Sequence, residues 1–361
     1  MFIADLHNDV LQRAMIGEDI SVKTNHGHSD LVRLRDSCIN LEVFVVWINN
    51  QYHKEGAFLR ANKLYDKLEY LEKENNFIKI TNTFSEIDYA KNKNILAIPI
   101  SIEGGESLED KIENLHHFIK RGLFYFGPTW NNSLSWVSSA YDEIHNKKNI
   151  KSLGLNKFGI EVINTCNENG IIIDLSHIGE KSFWDIAKIS SKPIIASHSS
   201  VYNLCPHFRN LKDDQILAIK QSQGLVGLNP YPFFIDPNFK VKEEKFRKKI
   251  SSKIKKITIN EENTSARWIK KQHLLQKELQ SIAPSIEIFV DHIEYIIKLA
   301  GIDYVAIGSD YDGLDCLPKE MTDCRDHIKI LENLEKRGYS ERDIEKVMGL
   351  NLLRVVEAVK N

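Results

Sequence analysis

The chain has 361 residues, a formal net charge of -2, and 42% hydrophobic and 27% charged residues. That balance suits a soluble globular protein and excludes a general electrostatic pull toward nucleic acid or an anionic membrane. No stretch reaches the roughly 18 apolar residues of a membrane span.

Eight short apolar runs recur in chain order: 2–6 (FIADL), 41–48 (LEVFVVWI), 95–102 (ILAIPISI), 123–127 (LFYFG), 171–176 (IIIDLS), 193–197 (PIIAS), 224–229 (GLVGLN) and 303–309 (DYVAIGS). Between them lie amphipathic stretches such as 57–75, 109–120, 156–169, 180–189, 211–222 and 285–300, with apolar positions at three- and four-residue steps. Buried strands alternating with helices predict a parallel sheet. Eight such units predict a closed (β/α)8 TIM barrel over residues 1–361 as one domain, in preference to a doubly wound open sheet. One segment breaks the rhythm. Residues 236–280 are long and basic-rich, and they predict a solvated helical excursion between strand seven and strand eight, with a lid or an oligomer contact as the functional alternative. The charge runs there lack the interleaved aromatics of a nucleic-acid groove.

The two ends of the chain and its cysteines point to a cytoplasmic protein. The first strand begins at residue 2, where a secretory signal would need a basic segment and a cleavage site. The ending LLRVVEAVKN reads as an amphipathic helix, not as a lipid-anchor signal. Cys38, Cys166, Cys205, Cys316 and Cys324 are odd in number and include no CxxC pair, which favours reduced thiols over a disulfide framework.

In a barrel of this kind the site gathers at the C-terminal ends of the strands. Strand one ends in His7 and Asp9, and strand three in Glu103 within SIEGGES. Strand four leads to Trp130 and Asn131 in GPTWNN, strand five to His177 in DLSHIG, and strand six to His198 in ASHSS. Strand seven leads to Tyr231 in NPYP and strand eight to Asp310 in GSDYDG. His7 and Asp9 stand two residues apart, so strand alternation projects them the same way and they can grip one ion. Imidazole nitrogen and carboxylate oxygen suit zinc. Glu103, with two oxygens, can bridge two ions, and His177 and His198 can complete the second. Two ions sharing a hydroxide form a hydrolytic centre. Each element alone has a plainer reading: a turn histidine, a solvated loop glutamate, a turn-capping Asp310 or Asp312. Their conjunction at separate strand ends carries the inference.

The remaining histidines read differently. His116, His117 and His292 lie in amphipathic helices, and His26 and His28 form an HxH pair in a loop. His53, His145, His273 and His327 have no sequence neighbours that suggest chemistry. There is no GxSxG elbow, Walker loop or GxGxxG fingerprint, and no cysteine at a strand end with an evident histidine partner.

Taken together, DLHNDV, IEGG, DLSH, SHSS, FRN with Arg209, GSDYDG and the closing MGLNLLRVVEAV resemble, in the same order, the motifs of the membrane (renal) dipeptidases. Those are zinc-dependent hydrolases of the metal-dependent barrel superfamily. The resemblance spans residues 5 to 359. It implies two zinc ions per chain, with His7 and Asp9 on one, His177 and His198 on the other, and Glu103 bridging. It further implies attack of a bridging hydroxide on the peptide carbonyl, Asp310 as proton carrier, and Arg209 gripping the dipeptide carboxylate, with Tyr231 beside it. One departure stands out: Trp130 occupies the place of a histidine that follows strand four in the best-known members, with Asn131 or Asn132 as the polar replacement. The expected partner is a small dipeptide, without nucleic acid or membrane, and a homodimer stays open. The alternatives are a hydrolase of the same fold acting on another amide or a lactam, and a catalytically silent barrel.

Overall fold

A computed structural model of the chain describes residues 1–52, 56–259 and 261–360, and His53 lies outside them. Ten strands pair in parallel among the described residues: β1 (Ala4–Asn8), β2 (Leu41–Trp47), β3 (Ile78–Ile80), β4 (Leu96–Ile98), β5 (Ile100–Glu103), β6 (Leu123–Gly127), β7 (Ile172–Asp174), β8 (Ile194–Ser199), β9 (Leu225–Leu228) and β10 (Val305–Ile307). Their order is β10-β9-β8-β7-β6-β5-β2-β4-β3, with β1 paired to β2. The sheet curls so that β1 comes beside the chain leaving β10. Asn8 forms a parallel bridge with Tyr311, Asp9 N donates to the Tyr311 carbonyl at 2.8 Å, and Ser309 N donates to the Asp5 carboxylate at 2.9 Å.

Two details differ from the sequence expectation. The run at 95–102 is two strands, because Pro99 has no N–H to give the ladder. Its carbonyl still accepts from Phe44 N at 2.9 Å, so β4 pairs β2 at Leu41↔Ala97 and β5 resumes at Phe44↔Ile100. The second is β3, whose three residues on the outer edge of β4 are too few to show an alternating pattern.

Strand alternation sorts the apolar residues into two cores. Phe44, Val46, Ile100, Ile102, Ile194 and Ala196 pack on helix residues such as Phe118, Phe183, Ile219 and Phe289. Leu41, Val43, Val45, Ile172, Ile195 and Leu225 face the other way and meet Leu352, Val355, Val356 and Val359 of the last helix, Asn351–Lys360. The last helix thus covers one end of the curled sheet, leaving the C-terminal strand ends to form the site.

The stretch 236–280 is helical over Phe239–Thr258 and Thr264–Leu279. Phe239, Ile250, Leu275 and Leu279 bury against one another and against Cys316. Arg247 ties the first of these helices to Asp315 at 3.1 Å. All five cysteines are free. No helix among the described residues is long and apolar enough to cross a membrane.

The glycines of β9 and of the turn after β10 let the strands close. A Cβ on Gly227 or Gly308 would strike the carbonyl of Ser197 in β8. Gly227→Ala is therefore expected to cost about 1–3 kcal/mol through overpacking, read as a lower urea midpoint at unchanged slope.

Candidate metal centre

The residues expected at the strand ends converge. Asp9, Glu103, Trp130, Asn131, His177, His198, Arg209, Tyr231 and Asp310 all line one cavity of about 290 Å³. His7 lies behind them, fully buried. Its Nε2 is 3.5 Å from Asp9 Oδ2 and 3.9 Å from Glu103 Oε1. Glu103 Oε1 lies 2.8 Å from His177 Nε2 and 3.2 Å from His198 Nε2, and those two nitrogens are 3.0 Å apart. Donor atoms of His7, Glu103 and His198, and again of His7, Asp9 and Asp310, lie within 4.8 Å of one another.

In all three imidazoles Nδ1 is occupied and Nε2 points inward. His7 Nδ1 meets the Tyr125 hydroxyl at 2.8 Å, and that hydroxyl donates to the Leu6 carbonyl at 3.1 Å. His198 Nδ1 meets Ser197 Oγ at 2.8 Å, and Ser197 donates to Asp174 at 2.6 Å. His177 Nδ1 meets Asn131 Oδ1 at 3.1 Å. Each Nδ1 therefore carries the proton, and each Nε2 presents a lone pair to the centre, the arrangement of metal-binding histidines. His7 Nε2 and Asp9 Oδ1 are buried without a hydrogen-bond partner, a cost that a cation would remove. These residues fit a bound divalent metal.

The electrostatics agree. Burial lifts the Glu103 carboxyl well above its usual range. Burial would also drive His7 to its neutral form, but Glu103 and Asp9 outweigh it and raise its pKa to about 10. Burial, helped by Arg209 and His7, holds His177 and His198 well below the ordinary histidine value. Without metal the centre thus gathers acids that draw a proton onto His7 and two imidazoles, His177 and His198, that refuse one.

Asp310 has left-handed φ of 56°, which aspartate tolerates, and its Oδ2 accepts from Asn229 Nδ2 at 3.1 Å. A Cβ on Gly313 would collide with the carboxylates of Asp9 and Asp310, so the DYDG turn needs glycine there. Asp312 points away from the cavity and accepts from His28 N at 2.7 Å, Ser29 N at 3.1 Å and Ser29 Oγ at 2.9 Å, with Arg13 Nη1 at 3.3 Å. His28 Nδ1 accepts from Asp312 N at 3.0 Å, so this half of the HxH pair shapes the loop and does not cap the cavity.

Arg209 is buried, with its guanidinium 5.5 Å from the Phe234 ring centroid. Nη2 donates to the His198 carbonyl at 3.3 Å, while Nη1 has no partner. Asn131 lines the cavity, and its Oδ1 is tied to His177 and positions that ring. Trp130 meets Trp47 edge to face with ring centroids 5.0 Å apart, and Trp47 in turn lies 5.7 Å from Trp268 of the 264–279 helix. Trp47, Trp268 and the supporting trio of Tyr125, Asp174 and Ser197 were not among the expected site residues. Asp174 and Ser197 sit inside the DLSH and ASHSS runs, and Tyr125 falls at an alternating strand position. Trp268 has no local signal, because it reaches the cavity from a distant excursion. A second cavity of about 660 Å³ shares His207, Phe208, Arg209 and Phe233 with the first but contains none of the inward-facing ligand atoms.

A curled parallel sheet carrying imidazole and carboxylate donors past its C-terminal strand ends marks the class of metal-dependent hydrolases. The chain belongs to the membrane dipeptidase family, peptidase family M19, with the match covering residues 1–361. It is a peptide-bond hydrolase. It is 27% identical over 373 residues to an uncharacterized dipeptidase of Schizosaccharomyces pombe, spanning 98% of this chain and 79% of that one. Among the solved structures that share its fold are two metallopeptidases. One is a metallopeptidase of the same family, dipeptidase AC, with a TM-score of 0.81 at 22% identity, covering 99% of this chain and 98% of that one. The other is a Rhodobacter sphaeroides metallopeptidase bound to a phosphinate mimic of L-Ala-D-Ala, with a TM-score of 0.80 at 22% identity, covering 99% of each chain.

Tyr125→Phe removes the group that fixes the His7 tautomer and is expected to weaken metal binding by about 10- to 100-fold, measured by competition with a chelator. A second expectation concerns Asp312. Despite burial, Arg13, His28 and the backbone donors depress its pKa from 3.8 to about 2. A depressed folded-state pKa gives stability that is full above pH 3.8 and lost as pH falls toward 2. The unfolding free energy of Asp312→Asn should therefore fall less steeply across that window than that of the native chain, by on the order of 2 kcal/mol.

Proposed function

We propose that the chain is a binuclear zinc dipeptidase, a closed (β/α)8 barrel with a helical excursion, acting in the cytoplasm on small dipeptides. The observation that carries this reading is the meeting of Glu103 Oε1 with the Nε2 atoms of both His177 and His198 at 2.8 and 3.2 Å. In it, His7 and Asp9 would hold one ion and His177 and His198 the other, with Glu103 the carboxylate near both sets. Bound zinc supplies an acidified water and polarises the scissile carbonyl.

The remaining work falls to groups of the chain. Burial lifts the Asp310 carboxyl to about 7, against the pull of His7. Cations at the centre would draw it down again, so in the loaded enzyme it stands ready to take a proton. Asn229 holds its Oδ2, leaving the carboxylate oriented to accept that proton and return it to the leaving amine. Arg209 offers its unpartnered Nη1 to the substrate carboxylate, a pairing that guanidinium geometry favours. Tyr231 lies on the same wall. Trp130 with Trp47 and Trp268 forms an apolar wall that supports a preference for a substrate with an apolar side chain. A cavity of about 290 Å³ is near the lower end of small-molecule sites, in keeping with a substrate of two residues.

The test is hydrolysis of a dipeptide panel that includes L-Ala-D-Ala, dipeptide amides, N-acyl amino acids and a β-lactam, with metal content measured in parallel. About two zinc per chain, chelator-sensitive cleavage of dipeptides and weak cleavage of their amides are expected. Asp310→Asn should keep its metal and lose about 10²- to 10⁴-fold in kcat. Full activity in that variant would overturn the proton-carrier role. Cleavage of the lactam or N-acyl compounds alone would replace the dipeptidase reading with that of another amidase, and a zinc-loaded protein inert to the whole panel would leave the silent barrel.

A further inference from the structure

His273 had no sequence neighbour that suggested chemistry, yet the fold sets it against His26. Their ring centroids are 4.2 Å apart. His26 Nε2 is 3.1 Å from Glu18 Oε2, and one donor atom from each of Glu18, His26 and His273 lies within 4.8 Å of the others. We infer that Glu18, His26 and His273 form a third divalent-cation site, which clamps the 264–279 helix to the loop that follows the short helix Leu11–Met15.

Several observations converge on a cation. His273 Nε2 is buried and has no hydrogen-bond partner. Two imidazoles and one carboxylate are three of the four ligands that zinc takes, with water free to fill the fourth. The loop is already braced for the task. The His26 carbonyl accepts from Arg33 Nη2 at 2.9 Å and from Thr24 Oγ1 at 2.9 Å.

The neighbouring positive charge does not close the site. Arg13 Nε donates to Glu18 Oε2 at 2.8 Å, but its Nη1 is matched by Asp312 Oδ2 at 3.3 Å. Arg13 therefore shares its charge between two carboxylates, and Glu18 keeps Oε1 free of hydrogen bonds among the described residues. His26 is 45% exposed on its side chain, so an ion has a path in from solvent.

The site has a structural consequence. Trp268 lies five residues before His273 on the same helix and forms part of the catalytic cavity wall with Trp47. An ion held by His273 would fix that wall from outside the catalytic centre. The inference does not depend on the substrate that the cavity takes.

The experiment is equilibrium dialysis of the zinc-loaded enzyme against buffered free Zn2+ raised stepwise through the micromolar range, with zinc per chain counted for the native chain, His26→Ala and His273→Ala. Limited proteolysis at each step reports on the excursion. The native chain is expected to take up one ion more than either variant, and that ion should protect residues 239–279 from cleavage. His26 is a loop residue, so its replacement tests the ligand without risking the core. Equal zinc in all three proteins would overturn the site. Loss in His273→Ala alone would also overturn it, by showing that the effect comes from helix packing.

Discussion

Two nitrogen lone pairs facing each other across 3.0 Å, with a carboxylate oxygen beside both, form the constraint that organises this molecule. His177 and His198 each give their Nδ1 proton to an oxygen, so neither can relieve the contact by donating from Nε2. Burial makes an imidazolium costly at either ring. A divalent cation resolves the arrangement without protonating either ligand. Much of the surrounding structure serves this need: Asp174 fixes Ser197, Ser197 fixes His198, Asn131 fixes His177, and Tyr125 fixes His7.

The supports stand on strands or within a few residues of strand ends, as close geometry requires. β5 delivers Glu103 as its last residue, β8 contains His198, and His177 and Asp310 each follow their strand by three residues. The last helix seals the opposite end of the curled sheet with Leu352, Val355 and Val356. The part of the wall formed by Trp268 comes instead from the helices over 239–279, which pack on the loop after β10 through Cys316 and through Arg247 to Asp315. Ligand geometry and the shape of the substrate wall therefore rest on different parts of the fold.

What was legible in the sequence followed from periodicity. Eight apolar runs located the main strands because alternation and burial leave a direct residue pattern. Residues at strand ends were legible because the strand itself dictates where they project. β3 escaped because three residues hold no period, and the break at Pro99 escaped because LAI and ISIE remain apolar on both sides of it. Contacts made across the fold left no local trace. Asn131 was expected to face the substrate, and its bond to His177 spans 46 positions. Trp268 lies inside a lysine-rich excursion, and Trp47 was read only as part of a buried strand. His273 carried no neighbouring motif at all, and its partners lie some 250 positions earlier in the chain.

Trp130 stands in the cavity wall without bringing a charge to it. Burial and Arg209 lower the pKa of His207 to about 4, so it is neutral there at physiological pH. Among the described lining residues Arg209 is then the one side chain that brings a lasting positive charge. Burial reduces its pKa only to about 10, opposed by Glu103 and Asp310, so it stays charged at neutral pH. Tryptophan can donate one hydrogen bond but cannot place a charge near a reacting carbonyl. In the proposed reading, charge at that carbonyl comes from bound metal, while Arg209 answers the carboxylate and the tryptophan wall meets the side chain that lies between.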